Sequence, residues 1–177
     1  HTTTDVDNTV IIGRSAGAAD MTSAADGTVA VGYQALTALT SGAGNVAVGY
    51  GAADALTTGQ KNVAIGYEAL SAGTGNSYNI VIGYEAMLVA DGADDNIAIG
   101  YRAGKALATG DNNTIIGYGA GQTTEDVDKA VIIGQGAGAG NLTSAADGTI
   151  CIGASAGAAL TSGTTSTAVG YNALKEH

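Results

Sequence analysis

The seventeen residues NVAIGYEALSAGTGNSY, Asn62 to Tyr78, decide the fold, because their pattern returns along the whole chain. The apolar run closing on glycine, VAIG here, occurs ten times, as VIIG, VAVG, VAVG, VAIG, IVIG, IAIG, TIIG, VIIG, ICIG and TAVG. The closing glycines are Gly13, Gly32, Gly49, Gly66, Gly83, Gly100, Gly117, Gly134, Gly153 and Gly170, spaced by 19, six times 17, 19 and 17 residues. A fixed short period marks a stack of units, none of which can bury its apolar side alone. A longer repeat is nested in it: residues 2–50 match residues 123–171 at an offset of 121, and TSAADGT recurs intact at 22–28 and 143–149. Residues 5–177 therefore read as one array.

Each period holds β-formers bounded by Gly, Asn, Asp, Ser and Thr, with too few residues between strands for a helix of ordinary length. The expected fold is all-β, a parallel β-solenoid of about ten 17–19-residue coils. Each coil is expected to hold one well-defined strand and a second, more variable one near stretches such as AALTSG. With 29 Gly, eight Tyr, no Pro, no Trp and no Phe, the interior must be narrow.

Side-chain alternation assigns the faces. The residues three and one before each glycine, such as Val63 and Ile65, are expected to fill the interior. The residue between them is then expected to point outward, yet it is always apolar: Ile11, Ala30, Ala47, Ala64, Val81, Ala98, Ile115, Ile132, Cys151 and Ala168. A strand with one face in water should alternate apolar with polar, so this strand must be covered on both faces. Identical chains are the expected cover, which makes the middle residues an inter-chain apolar column; side chains this small let three backbones approach an axis, and a pair of chains fits the same column. In-register Asn45, Asn62, Asn79, Asn96 and Asn113 are expected at a corner of positive φ, sharing amide hydrogen bonds up the stack.

The unit NVAVGYGAADALTTGQK (45–61), with its Asn, Ile, Gly and Ala columns, resembles the repeats of tail-fibre proteins of bacteriophages and other large viruses. Its NVAIG core is similar to the head repeat of trimeric autotransporter adhesins. The resemblance implies a left-handed β-roll and a homotrimer. It also implies a structural role: a fibre segment on a virion tail or appendage, or on an extracellular cell surface, that spaces or presents a receptor-binding tip. Partners are then the chain itself, neighbouring segments of a longer fibre, and a host-surface glycan or protein. The alternative is an adhesin head that binds a host ligand laterally. Coils of 17 and 19 residues exceed those of the typical adhesin head and favour the viral fibre. An ice-binding solenoid is a third reading, disfavoured because Thr-x-Thr does not recur in one register.

Six basic residues, all scattered, stand against sixteen acidic ones for a net charge of −10, which argues against nucleic-acid and anionic-lipid partners. No apolar run approaches a bilayer span, so membrane insertion is not expected, and the opening HTTTDVDN lacks the regions of a signal peptide. Catalysis has no candidate: GxSxG, HExxH and a P-loop are missing, and the two histidines are His1 and His177. No cofactor or metal is expected. The acidic loops DVDN (5–8), DGADDN (91–96), GDNN (110–113) and EDVD (125–128) match no calcium-loop pattern and read as turn carboxylates. Cys151, in the presumed inter-chain column, could meet its copies to oxidise or bind metal, but reads better as a small buried hydrophobe. The most suggestive feature is the tyrosine after the glycine, at Tyr33, Tyr50, Tyr67, Tyr84, Tyr101, Tyr118 and Tyr171. Such a column could meet a surface ligand or wedge between chains, its rings stacked on one another.

Overall fold

A computed structural model describes residues 6–163 and 165–175; His1, His177, and the start of both the long repeat and the first acidic loop lie outside them. Ten three-residue strands form one parallel sheet in chain order. They are β1 (Val10–Ile12), β2 (Val29–Val31), β3 (Val46–Val48), β4 (Val63–Ile65), β5 (Ile80–Ile82), β6 (Ile97–Ile99), β7 (Thr114–Ile116), β8 (Val131–Ile133), β9 (Ile150–Ile152) and β10 (Thr167–Val169). The chain is thus a parallel β-solenoid, and coils are numbered below by their strands. Every strand pairs in register with the next, so Val46, Ala47 and Val48 lie beside Val63, Ala64 and Ile65. At ~4.8 Å per step the nine steps span roughly 43 Å. In each 19-residue coil the extra length includes a short 3-10 turn, Ser23–Ala25 and Ser144–Ala146, within the duplicated TSAADGT.

The strand glycine has to be glycine. Its φ lies between 119° and 144° in all ten coils, and a Cβ on Gly66 would overlap the carbonyl oxygen of Gly83 in the coil above. Three further corners have positive φ in every coil, five residues before the glycine and two and four after it. These left-handed corners explain why the second strand does not form. The stretch Ala35–Gly42 runs as turns that still bond from coil to coil, with Leu36 N–H donating to the Ala52 carbonyl at 3.0 Å and Thr40 N–H to the Thr57 carbonyl at 3.0 Å.

The structure reverses the expected facing of the strand. The middle residues Ala30, Ala47, Ala64, Val81, Ala98, Ile115, Ile132, Cys151 and Ala168 are buried in the interior of their own chain, and Ile11 is partly buried at the end of the stack. The residues on either side face outward, as Ile65 (37% exposed) and Ile80 (39%) show in the middle of the array. The middle residue shares its interior with the Ala column that follows the glycine, Ala35, Ala52, Ala69, Ala86, Ala103, Ala120, Ala137 and Ala156 among it. Small residues therefore serve a narrow interior and do not mark an axis between chains.

In several coils volume is traded between the middle strand residue and the residue four after the glycine. Ala30 accompanies Leu36 and Ala64 accompanies Leu70, whereas Ile115 accompanies Gly121, Ile132 accompanies Gly138 and Cys151 accompanies Gly157. A Cβ on Gly138 would lie 3.1 Å from Ile132 Cγ2. In those coils the two positions share one space, although Val81 and Met87, both fully buried in one coil, show that the interior can also take a larger pair.

The asparagines are also re-placed. They sit one residue after the positive-φ corner and are buried. Asn62 donates its backbone N–H and its Nδ2 to Asn45 Oδ1, both at 3.0 Å, and its Nδ2 also to the Asn76 carbonyl at 2.7 Å on the far wall. The amide sharing up the stack is present, and it closes each coil across its own interior. The ladder ends where Ala130 replaces Asn and its N–H bonds to Asn113 Oδ1 at 2.9 Å.

The shared volume gives a testable expectation. Ile132→Ala should destabilise the chain by about 3 kcal/mol through the cavity it leaves. Adding Gly138→Leu should restore at least half of that, because Leu36 and Leu70 already adopt the same left-handed φ at the equivalent place. Thermal melts of the single and double variants check it.

Candidate functional site

Outward-facing features of the coil fall into three adjacent columns that run the length of the rod. The first two are the flanking strand residues, Val and Ile in nearly every coil, which make one flat apolar ribbon. Sequence reasoning assigned these residues to the interior. The missed signal was the volume exchange just described, which needs the middle residue to point in.

The third is the tyrosine column. Six of its seven rings form one continuous stack from Tyr33 to Tyr118, with successive centroids 4.8–5.3 Å apart and ring planes within 7–24° of parallel. Ring spacing equals coil spacing, so the stack follows from register alone. The Arg14 guanidinium stands over Tyr33 at 4.6 Å from its centroid and closes that end. Tyr171 stands apart, because coils 8 and 9 carry Gln135 and Ala154 in the ladder position. The eighth tyrosine, Tyr78, belongs to another corner, where Lys61 Nζ lies 5.1 Å from its ring centroid.

Beside the ladder is the strongest electrostatic feature of the surface. Glu85 Oε2 accepts from Lys105 Nζ at 2.6 Å and from Arg102 Nε at 2.9 Å. Arg102 also lies over the Tyr101 ring, 5.0 Å from its centroid. The hydrogen bond from Lys105, helped by those from Arg102 and Tyr84, lowers the Glu85 carboxyl from its ordinary value of 4.5 to about 2. Hydrogen bonding to Glu85 in turn raises Tyr84 above its ordinary value, and Glu68 does the same for Tyr67.

The acidic corners have a structural use beyond solvation. Asp94 accepts the Ser77 N–H at 2.7 Å, Asp111 the Asp94 N–H at 2.7 Å, Asp128 the Asp111 N–H at 2.8 Å, and Asp147 the Asp128 N–H at 2.9 Å. Each carboxylate satisfies a backbone donor one coil below. Among the described residues no group of three His, Cys, Asp or Glu side chains could hold a metal ion, and no helix is long and apolar enough to cross a membrane. Cys151 faces the interior and not a neighbouring chain, and burial pushes its thiol above the usual range.

No protein-family model, no curated protein and no solved structure matches this chain. The functional reading therefore rests on the three columns themselves.

Two expectations follow. Because Glu85 is more acidic folded than unfolded, the unfolded chain binds the extra proton between pH 4.5 and 2. The stabilisation from Glu85 is thus full above pH 4.5 and fades as the pH falls toward 2. Glu85→Gln should flatten this part of the acid-unfolding profile and leave the neutral-pH side with a uniformly lower melting temperature. Cys151, being interior, should not react with a thiol reagent such as Ellman's in the folded chain at any dilution, and should react fully in guanidinium.

Proposed function

We propose that this chain is a structural segment of a homotrimeric fibre, borne on a virion tail or appendage or on an extracellular cell surface, that spaces or presents a receptor-binding tip. The observation that carries this reading is the flat apolar ribbon. It is one strand wide, about 10 Å, and roughly 43 Å long, so it projects on the order of 400 Å² before side-chain relief is counted. A monomer seldom leaves so large a continuous apolar patch to water without a use for it.

A second copy of the chain is the occupant that fits. The ribbon repeats at the coil spacing and its two columns carry no charge, so a surface with the same repeat and the same lack of charge matches it along its length. Two outward columns per strand, three and one before the glycine, diverge from the inward middle residue. In a closed ring of three, each column serves one neighbour. The middle residues themselves stay inside their own chain. Neighbouring segments of a longer fibre would stack on the outer edges of β1 and β10, which lie at the two ends of the sheet.

The role is mechanical in this reading. No constellation for catalysis stands among the described residues, and the −10 charge keeps fibres apart in solution. The resemblance of the coil to viral tail-fibre repeats supports the virion as its setting.

Native mass spectrometry and light scattering of the purified chain should give three copies. Ile82→Asp with Ile99→Asp puts two unpaired carboxylates in the apolar contact and should weaken self-association at least about a hundredfold, while circular dichroism stays unchanged. Ala98→Asp, one residue away but inward, should instead unfold the chain, since an interior carboxylate without a partner costs about 3–5 kcal/mol. A folded single-chain species at micromolar concentration overturns the proposal.

A further inference from the structure

We infer that the chain binds a neutral pyranose ring of a glycan in the notch where the tyrosine ladder is interrupted. The notch encloses about 480 Å³ and lies between Tyr118 and Tyr171. Three coil steps separate these residues, roughly 14 Å, so two ring layers are missing from the stack. At coil 8 a flexible amide, Gln135, replaces the ring, and at coil 9 Ala154 leaves the layer empty above its methyl group. The Tyr118 ring, which bounds the notch from inside the array, is correspondingly bare, 60% exposed against 40–46% for Tyr50, Tyr67 and Tyr84 within the ladder.

The lining chooses the ligand class. A pyranose has an apolar C–H face of the size of a tyrosine ring and a rim of hydroxyl groups. The face fits against Tyr171 in the layer that Ala154 vacates, as the next ring of the ladder would. The rim meets the side-chain amides of Gln122 and Gln135, which make no hydrogen bond to any described residue and offer both donors and acceptors. No charged side chain lines the notch, and the acidic chain repels anionic sugars and phosphates. An aromatic side chain of another protein could stack in the same layer, but it would offer the two amides no hydrogen bonds, whereas a sugar rim offers several. A few polar groups converging on a largely preformed hollow of this size is what small-ligand sites offer.

The chain supplies its own comparison. At the fixed offset of 121, Gln135 and Ala154 correspond to Arg14 and Tyr33. There the guanidinium covers the ring and the ladder is closed. The same coil geometry therefore accepts a tyrosine where Ala154 stands, and the notch comes from two side chains, not from a different backbone. None of its lining residues belongs to a strand. It opens on the flank beyond the closing glycines, outside the ribbon itself. This inference does not need the fibre reading, and their tests are separate: copy number for one, ligand contact for the other.

Saturation-transfer NMR on the intact protein, with the methyl glycosides of glucose, galactose, mannose and N-acetylglucosamine as probes, tests it. At least one neutral glycoside should receive saturation and broaden or shift the Tyr171 ring signals, at millimolar affinity. Ala154→Tyr should reduce that affinity at least about tenfold, with an unchanged circular-dichroism spectrum and a melting temperature no lower than that of the parent chain. Gln135→Ala, which widens the notch but removes an amide, should weaken it as well. Absence of transfer to all four glycosides overturns the inference. So does transfer that persists in the Ala154→Tyr variant, or binding of N-acetylphenylalaninamide in the notch where no sugar binds.

Discussion

An interior only one side chain deep is the constraint from which the rest of this structure follows. A coil of seventeen residues that ends each strand on glycine and turns three more left-handed corners encloses very little space. Where isoleucine enters from the strand, at Ile115 and Ile132, the residue four after the glycine is glycine and leaves room for it. Packing at crystal-like density then leaves no freedom about which face of the strand is which. The Val and Ile that flank the middle residue face outward, and several of them, such as Ile65 and Ile80, stay well exposed. The apolar exterior is thus a by-product of a thin interior, and the self-association proposed above would answer to the same cause.

Perfect register has a second consequence, since every side chain sits above its equivalent at about 4.8 Å. For asparagine and tyrosine this is favourable: amides fork from one coil to the next, and rings stack. For the carboxylates Asp94, Asp111, Asp128 and Asp147 it sets like charges in a row. Two such charges about 5 Å apart in water repel by about 1 kcal/mol. A hydrogen bond from a backbone N–H to a carboxylate returns about 1.5–3 kcal/mol. The row survives because each carboxylate accepts such a bond from the coil below.

Period, parallel stacking, the need for glycine at the strand end and the sharing of amides between asparagines were all legible in the sequence, since each is a property of one column read down the chain. The facing of the strand was not, because alternation says only that the middle residue opposes its neighbours. Apolarity was equal on the two sides and could not break the tie. Size could have, had two columns been read together: Ile132 with Gly138 and Ala64 with Leu70 declare a shared interior. The second strand was expected on composition, but left-handed φ at residues such as Leu36 and Leu70 is invisible to composition. Tyrosine stacking was foreseen as one of two uses of its column, while the notch required knowing that the ladder otherwise runs unbroken.

In an array this regular, the rule is set by the stack and information resides in departures from it. A column that repeats needs no explanation beyond register, as the six stacked rings show. Gln135 and Ala154 break the column in consecutive coils, although the backbone beneath them is the one that holds a closed ladder around Arg14 and Tyr33. Restoring a ring there would add stacking and bury an otherwise wetted methyl, so stability alone favours tyrosine at that place. A position that forgoes available stabilisation beside two solvent-facing amides is where the inferred ligand fits, and the ribbon beside it is where the proposed partner chains would sit.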